Sequence, residues 1–163
     1  MGKRGLMFML LVCFVLASPC LAQQENPKLV AEVKVLLDQH DKAFGAQDLK
    51  GVMGTYASGP DIFLMGTGPG ECYFRKAGIE GAYSQFFTRF DAGTLSFDYT
   101  WIHAGSKGDA AWFVAEAQAK GKVKNQEKEM EFNLSGTLEK HGGKWRFAAM
   151  HFSRLGVQAE PGQ

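Results

Sequence analysis

The spacing of apolar residues changes along the chain, and each change predicts a new element. From residue 27 to 46, Leu29, Val33, Leu36, Leu37, His40 and Phe44 recur every three or four positions, which gathers them on one face of a helix. Asn26 is placed to cap that helix, Pro27 suits its first turn and Gly45 closes it. Asp48 is placed to cap a second, shorter helix over residues 49–57, with Val52, Met53 and Tyr56 inward. Ser58-Gly59-Pro60 breaks the chain, and two short strands follow, 61–65 and 71–75, joined by the glycine-rich turn 66–70. Helical spacing returns over 77–90 through Ile79, Tyr83, Phe86, Phe87 and Phe90.

After Gly93 the period becomes two. Leu95, Phe97, Tyr99, Trp101 and His103 alternate with polar residues and predict a strand with those five on one face. A turn over 105–109 leads to a second strand, 110–119, with Trp112, Val114 and Glu116 opposite Ala111, Phe113 and Ala115. Residues 120–128 are charged and read as a turn. A third strand spans 129–140, and the last runs over 144–155 with Trp145, Phe147, Ala149, His151 and Ser153 sharing a face. Helices first and four long strands after them predict an α+β fold, with helices packed on one side of a curved antiparallel sheet.

The N-terminus adds a compartment. A basic start at Lys3-Arg4, an apolar run from Leu6 to Ala17 and small residues up to Ala22 follow the order of a secretory signal peptide. The run is about a dozen residues, short of the roughly 20 that span a bilayer. The division expected is 1–22 signal peptide, 23–157 one domain and 158–163 a loose tail, with the product periplasmic or secreted and not membrane-held after cleavage. Removing 22 of the 163 residues leaves 141, enough to bury a core without metal or disulfide. Only Cys72 of the three cysteines survives, so an internal disulfide is impossible. Losing Lys3 and Arg4 takes the basic side chains from 18 to 16 against 17 acidic, a balance that argues against a nucleic-acid partner. The four histidines show no ligand spacing, and no phosphate loop or serine elbow is present, so neither metal nor cofactor is expected.

Four stretches carry a family resemblance. Ala46-Gln47-Asp48-Leu49 is similar to the opening of a second helix, DIFLMGTGPGE (61–71) to a first hairpin, Gly108-Asp109-Ala110-Ala111-Trp112 to the turn into a central strand, and KWRFAAMHFS (144–153) to a closing Trp…His-x-Ser strand. Together they resemble the SnoaL-like or DUF4440-like branch of the NTF2-like superfamily over roughly residues 29–155. Many relatives carry a second histidine where this chain has Ala149, and often a glycine where it has Arg75. The resemblance implies a cone with an apolar cavity between sheet and helices, and commonly a homodimer through the sheet. It does not imply one reaction, because the fold hosts isomerases, cyclases, dehydratases and non-catalytic modules.

Two candidates carry possible acid–base chemistry. His151 on the last strand has an unperturbed pKa near neutrality and a hydroxyl neighbour in Ser153; the plainer alternative is a structural histidine bonded to that hydroxyl, backbone or water. His40 lies on the apolar stripe of the first helix, bordering the implied cavity, or is a half-buried residue at the stripe's margin. The candidate ligand-binding wall is Phe44, Tyr73, Trp101, Trp112, Phe132, Trp145 and Ser153, with core packing as the alternative for the aromatic members. Glu71 reads as a structural acceptor for turn N–H groups. The expected function is therefore binding of a small, largely apolar molecule; the alternative is an isomerase-, cyclase- or dehydratase-type enzyme using His151 as acid or base.

Overall fold

The computed structural model describes residues 26–154, so the expected signal peptide (1–22) and the expected loose tail (158–163) lie outside the described residues. Helix α1 (Pro27–Gly45) begins where the sequence places it: the Asn26 side chain accepts from the Leu29 N–H at 3.1 Å, and Pro27 occupies the first turn. Its buried stripe is Leu29, Val33, Leu36, Leu37 and His40. The helix ends differently from expectation. Ala46 caps it in helical geometry, and Gln47 takes the left-handed turn at φ 56. Gly45 is instead a close approach, since a Cβ there would collide with the Leu95 carbonyl oxygen.

Asp48 caps α2 (Leu49–Met53) by accepting from the Gly51 N–H at 2.9 Å. The chain then passes along the last strand, with Ala57 N–H donating to the Phe147 carbonyl and Phe147 N–H to the Thr55 carbonyl, both at 2.9 Å. Strands β1 (Phe63–Met65) and β2 (Cys72–Phe74) form the short hairpin, and α3 (Arg75–Phe87) follows directly. Four long strands complete the chain: β3 (Ser96–Lys107), β4 (Ala110–Val123), β5 (Gln126–His141) and β6 (Lys144–Arg154).

The six strands lie in the order β2-β1-β6-β5-β4-β3. All neighbours are antiparallel except β1 and β6, which are parallel, so the sheet is mixed rather than wholly antiparallel. The parallel pair follows from the chain's return: after α2 it enters the sheet beside the strand made last, a pairing no local pattern encodes. The segment expected to be a turn, 120–128, is mostly paired strand; Lys124 and Asn125 alone make the turn, at φ 51 and 63. Neither is glycine, and the Asp91 carboxylate accepts from both their N–H groups, at 3.2 and 2.7 Å, which holds the two-residue turn in place.

Two β-bulges decide which side chains face the helices. In β3 the register passes from Tyr99↔Ala117 to Trp101↔Glu116, so Thr100 is an extra residue. In β6 it passes from Phe147↔Leu138 to Ala149↔Thr137, so Ala148 is extra. Each extra residue reverses the alternation beyond it. Phe97 and Tyr99 face inward but Trp101 and His103 outward; Trp145 and Phe147 face inward, then Met150, Phe152 and Arg154, while Ala149, His151 and Ser153 turn outward.

The inner face and the three helices enclose a core around Phe147, Phe113, Leu37, Val33, Leu134, Leu138 and Met150. Close packing there makes Gly136 necessary, because an added Cβ would meet the Ala149 carbonyl oxygen and the Phe113 ring. Gly81 in α3 is the opposite case, exposed with nothing near it. We expect Gly136→Ala to destabilise by about 1–3 kcal/mol through overpacking, and Gly81→Ala to stabilise by about 0.5–1 kcal/mol through helix propensity. Urea unfolding midpoints measure both; equal shifts of one sign would contradict this packing.

Candidate functional site

The Tyr83, Phe86 and Phe90 side chains project from α3 and the segment after it toward the inner face of the sheet. They do not fill the space to it. A cavity of about 200 Å³ remains, lined by Phe44 of α1, by those three rings, by Leu95 and Phe97, and by Ala119, Met130, Phe132 and Phe152 of the sheet. Gly66, Thr67, Glu71, Arg89 and Arg154 supply its polar edge. Phe44 and Phe97 stack at 6.1 Å between centroids, and Phe132 meets Phe152 edge to face at 6.3 Å, so the wall is a set of mutually supporting rings. Gln47 anchors the turn after α3 by donating from Nε2 to the Phe87 and Phe90 carbonyls, at 2.7 and 3.0 Å.

Behind Tyr83 runs a buried polar chain. Tyr99 donates its hydroxyl to Asp41 Oδ2 at 2.7 Å; Asp41 Oδ1 meets His40 Nδ1 at 3.0 Å; His40 Nε2 meets the Tyr83 hydroxyl at 2.7 Å, and that hydroxyl meets Tyr56 at 2.9 Å. One proton assignment satisfies every member: His40 donates from Nδ1 to the carboxylate, its Nε2 accepts from Tyr83, and Tyr83 accepts from Tyr56. Burial pushes the Tyr83 phenol well above its ordinary value, and neighbouring Tyr56, Asp41 and Tyr99 push it further. Burial likewise raises Tyr56 and Tyr99, the latter also because Asp41 holds its proton. All three tyrosines are therefore neutral hydrogen-bonding phenols.

Glu71 closes the glycine-rich turn as the sequence suggests. Its Oε2 accepts from the Gly68 N–H at 3.0 Å and its Oε1 from Arg89 at 3.2 Å. The backbone bond, ahead of the Arg89 charge, lowers its pKa below the usual carboxylate value. A Cβ at Gly66 would collide with this carboxylate, which explains a glycine there.

The candidate residues separate into three places. Phe44 and Phe132 line the cavity. His40 is fully buried one layer behind it, against the wall residues Tyr83 and Phe44. Tyr73 is half-buried against Phe86, 6.1 Å between centroids, outside the lining. Trp145 packs under α1, donating from Nε1 to Glu32 at 2.8 Å, in a different cleft. Trp101, Trp112, His151 and Ser153 lie on the outer face of the sheet, the first two 45% and 47% exposed. His151 faces Ser135 across the strand pair, with the sheet between it and the cavity, because the extra residue at Ala148 rotated it there. Sequence reasoning missed Phe152 and Arg154 for the same reason, and did not single out Phe86, Phe90, Leu95, Phe97 and Met130 as wall residues. One signal was present: in Ala148-Ala149-Met150 apolar residues occupy both parities, as at a bulge.

The model of the SnoaL-like domain family matches residues 33–158. No curated protein matches the chain. Solved structures share the fold at low identity. An NTF2-like protein of unknown function from Pseudomonas putida is 15% identical, with a TM-score of 0.67 over 83% of this chain and 92% of that one. A candidate dehydratase of the NTF2-like family from Streptomyces avermitilis is 12% identical, with a TM-score of 0.70 over 81% and 100%. A ketosteroid isomerase-like protein from Erwinia carotovora atroseptica is 18% identical, with a TM-score of 0.65 over 81% and 100%.

The Glu71 clasp gives a pH signature. Because its folded pKa is depressed, its stabilisation is complete above the unfolded value of about 4.3 and is lost as pH falls through the folded value. We expect Glu71→Gln to cost about 1 kcal/mol at about pH 7, with the variant and parent urea midpoints converging as pH falls to about 3. A gap unchanged across that range would mean the carboxylate charge does not hold the turn. With a family match across most of its length and the same helices-on-mixed-sheet architecture as these structures, the chain belongs to the SnoaL-like domain family and has the NTF2-like fold.

Proposed function

We propose that this is an exported SnoaL-like domain that binds a small, largely apolar molecule in its cone-shaped cavity. One observation carries the binding half: the cavity wall is mostly aromatic and aliphatic, and the two groups on it that could give or take a proton near neutrality, Tyr83 and Glu71, are already committed. Tyr83 is held between His40 and Tyr56, and Glu71 between a backbone N–H and Arg89. A general acid or base needs an atom within reach of the reacting group, and His151, the base of the alternative reading, is across the sheet. Proton-transfer chemistry would have to pass through the Tyr83 hydroxyl at the expense of a buried bond. The export half rests on the basic, apolar, small-residue order of residues 1–22.

The size sets the ligand. A cavity of about 150 Å³ with apolar walls accepts benzene, so 200 Å³ suits a one- or two-ring compound or a short alkyl chain. Native mass spectrometry of the protein purified from its host's exported fraction should release such a compound after denaturation. Ala119, whose methyl faces the cavity, provides the control. We expect Ala119→Leu to fold normally and to bind at least about tenfold more weakly, about 1.4 kcal/mol, because the added carbons occupy ligand space. Unchanged affinity in that variant would place the ligand elsewhere.

We also propose that a second copy covers the outer sheet face. Phe63, Met65, Trp101, Trp112 and Val114, each 40–47% exposed, fall in adjacent rows there. Grouped exposed apolar side chains of this size mark contact surfaces. Trp112→Glu, at a half-exposed position where the indole lies over Gly105, should convert a dimer to a monomer in sedimentation; a parent that sediments as a monomer at all concentrations would refute the pairing.

A further inference from the structure

We propose that the cavity's ligand carries a single negative charge, such as a carboxylate on an apolar body, and that Arg154 receives it. This rests on the cavity reading above and narrows it to a chemical class.

Arg154 is brought to the cavity by the bulge at Ala148. The reversed alternation turns Met150, Phe152 and Arg154 inward along β6, and Arg154 stands opposite Phe132 on β5. Its wall neighbours Phe132 and Phe152 are therefore apolar, and the guanidinium ends a column that is otherwise greasy. The other cavity guanidinium, Arg89, is already placed: it donates to Glu71 at 3.2 Å and lies 4.8 Å over the Phe86 ring. Among the described residues Arg154 has no ion-pair partner. The three charged groups on the lining, Arg89, Glu71 and Arg154, sum to one positive charge, and the uncommitted one is Arg154.

The chemistry selects among ligands. A cation would meet guanidinium groups at the polar edge and find its one carboxylate engaged. A neutral apolar molecule would leave Arg154 solvated, and the arginine would contribute nothing. An anion matches the planar fork of the guanidinium with two parallel N–H···O bonds. The apolar wall beside it lowers the local dielectric, which strengthens that pairing relative to one in open water. The remaining volume takes the ring or chain.

Paired probes of one shape test this: 2-naphthoate, an anion, and 2-naphthamide, its neutral isostere, titrated calorimetrically into the protein purified from its host. We expect the carboxylate to bind about tenfold more tightly at low salt, and that preference to shrink as salt rises. In Arg154→Gln, an exposed position outside the core, the preference for the carboxylate over the amide should fall to about onefold. Equal affinities in the parent would overturn the charge proposal and leave the cavity reading standing. A preference retained in Arg154→Gln would overturn the role of Arg154. Binding of neither probe to the parent, alongside no co-purifying compound, would overturn the cavity reading itself.

Discussion

The inner surface of this protein depends on two residues that have no partner of their own in the sheet ladder. A strand's side chains alternate strictly, so a regular β3 could not present both Phe97 and Ile102 to the helices, nor a regular β6 both Phe147 and Phe152. Thr100 and Ala148 each absorb one position and reverse the alternation. They also bend and further twist their strands. Beyond the bulge in β6 the inward residues are Met150, Phe152 and Arg154, of which Met150 completes the core and the other two face the cavity. Packed core and open pocket are thus two parts of one sheet face.

The second constraint is polar. His40, Tyr83, Tyr56, Tyr99 and Asp41 come from both principal helices, the segment after α2 and the sheet, and they meet inside an apolar core. Losing one member would leave a buried group unpaired at about 1–3 kcal/mol, whereas the complete chain has no such orphan: among the described residues every buried side-chain nitrogen or oxygen has a partner. That asymmetry ties α1 to α3 more selectively than apolar contact would. Hydrophobic packing tolerates a shift of a turn; a hydrogen bond of 2.7 Å between Nε2 and a phenol does not. The network therefore fixes where the Tyr83 ring stands, and Tyr83 is part of the cavity wall.

How much of this was legible in the sequence divides along the range of the interaction. Asn26 and Asp48 announce helix starts because capping is a contact three residues long. Gly142-Gly143, both at positive φ, announces the β5–β6 turn for the same reason. Lys124-Asn125 adopts a similar turn without glycine, held by Asp91 more than thirty residues upstream, so no local signal marks it. The parallel pairing of β1 with β6 is likewise invisible, being a contact between segments far apart in the chain. The candidate site was least legible along β6, where its Phe152 and Arg154 lie downstream of a bulge. A period of two assigns faces correctly only up to the first extra residue, so His151 and Ser153 exchanged sides with Phe152 and Arg154. Phe44 and Phe132, on uninterrupted elements, fell where their spacing put them.

These constraints bear on what the cavity is suited to do. Its rings support one another, its turn is clasped by Glu71, and its deepest polar group is held from behind by His40. Little in the wall is left to be ordered by a ligand. Binding to such a surface forfeits less conformational entropy than binding to a loose one, so a ligand keeps more of its contact energy as affinity than it would there. The same completeness works against proton transfer. A catalytic group must change partners during turnover, and each partner change here would break a bond that positions the wall. Arg154 is the exception: at the end of β6, solvated and outside both the core and the polar chain, it can engage or release a partner without disturbing either. A rigid apolar receptacle with one adaptable charge at its edge is the arrangement on which the binding proposal rests.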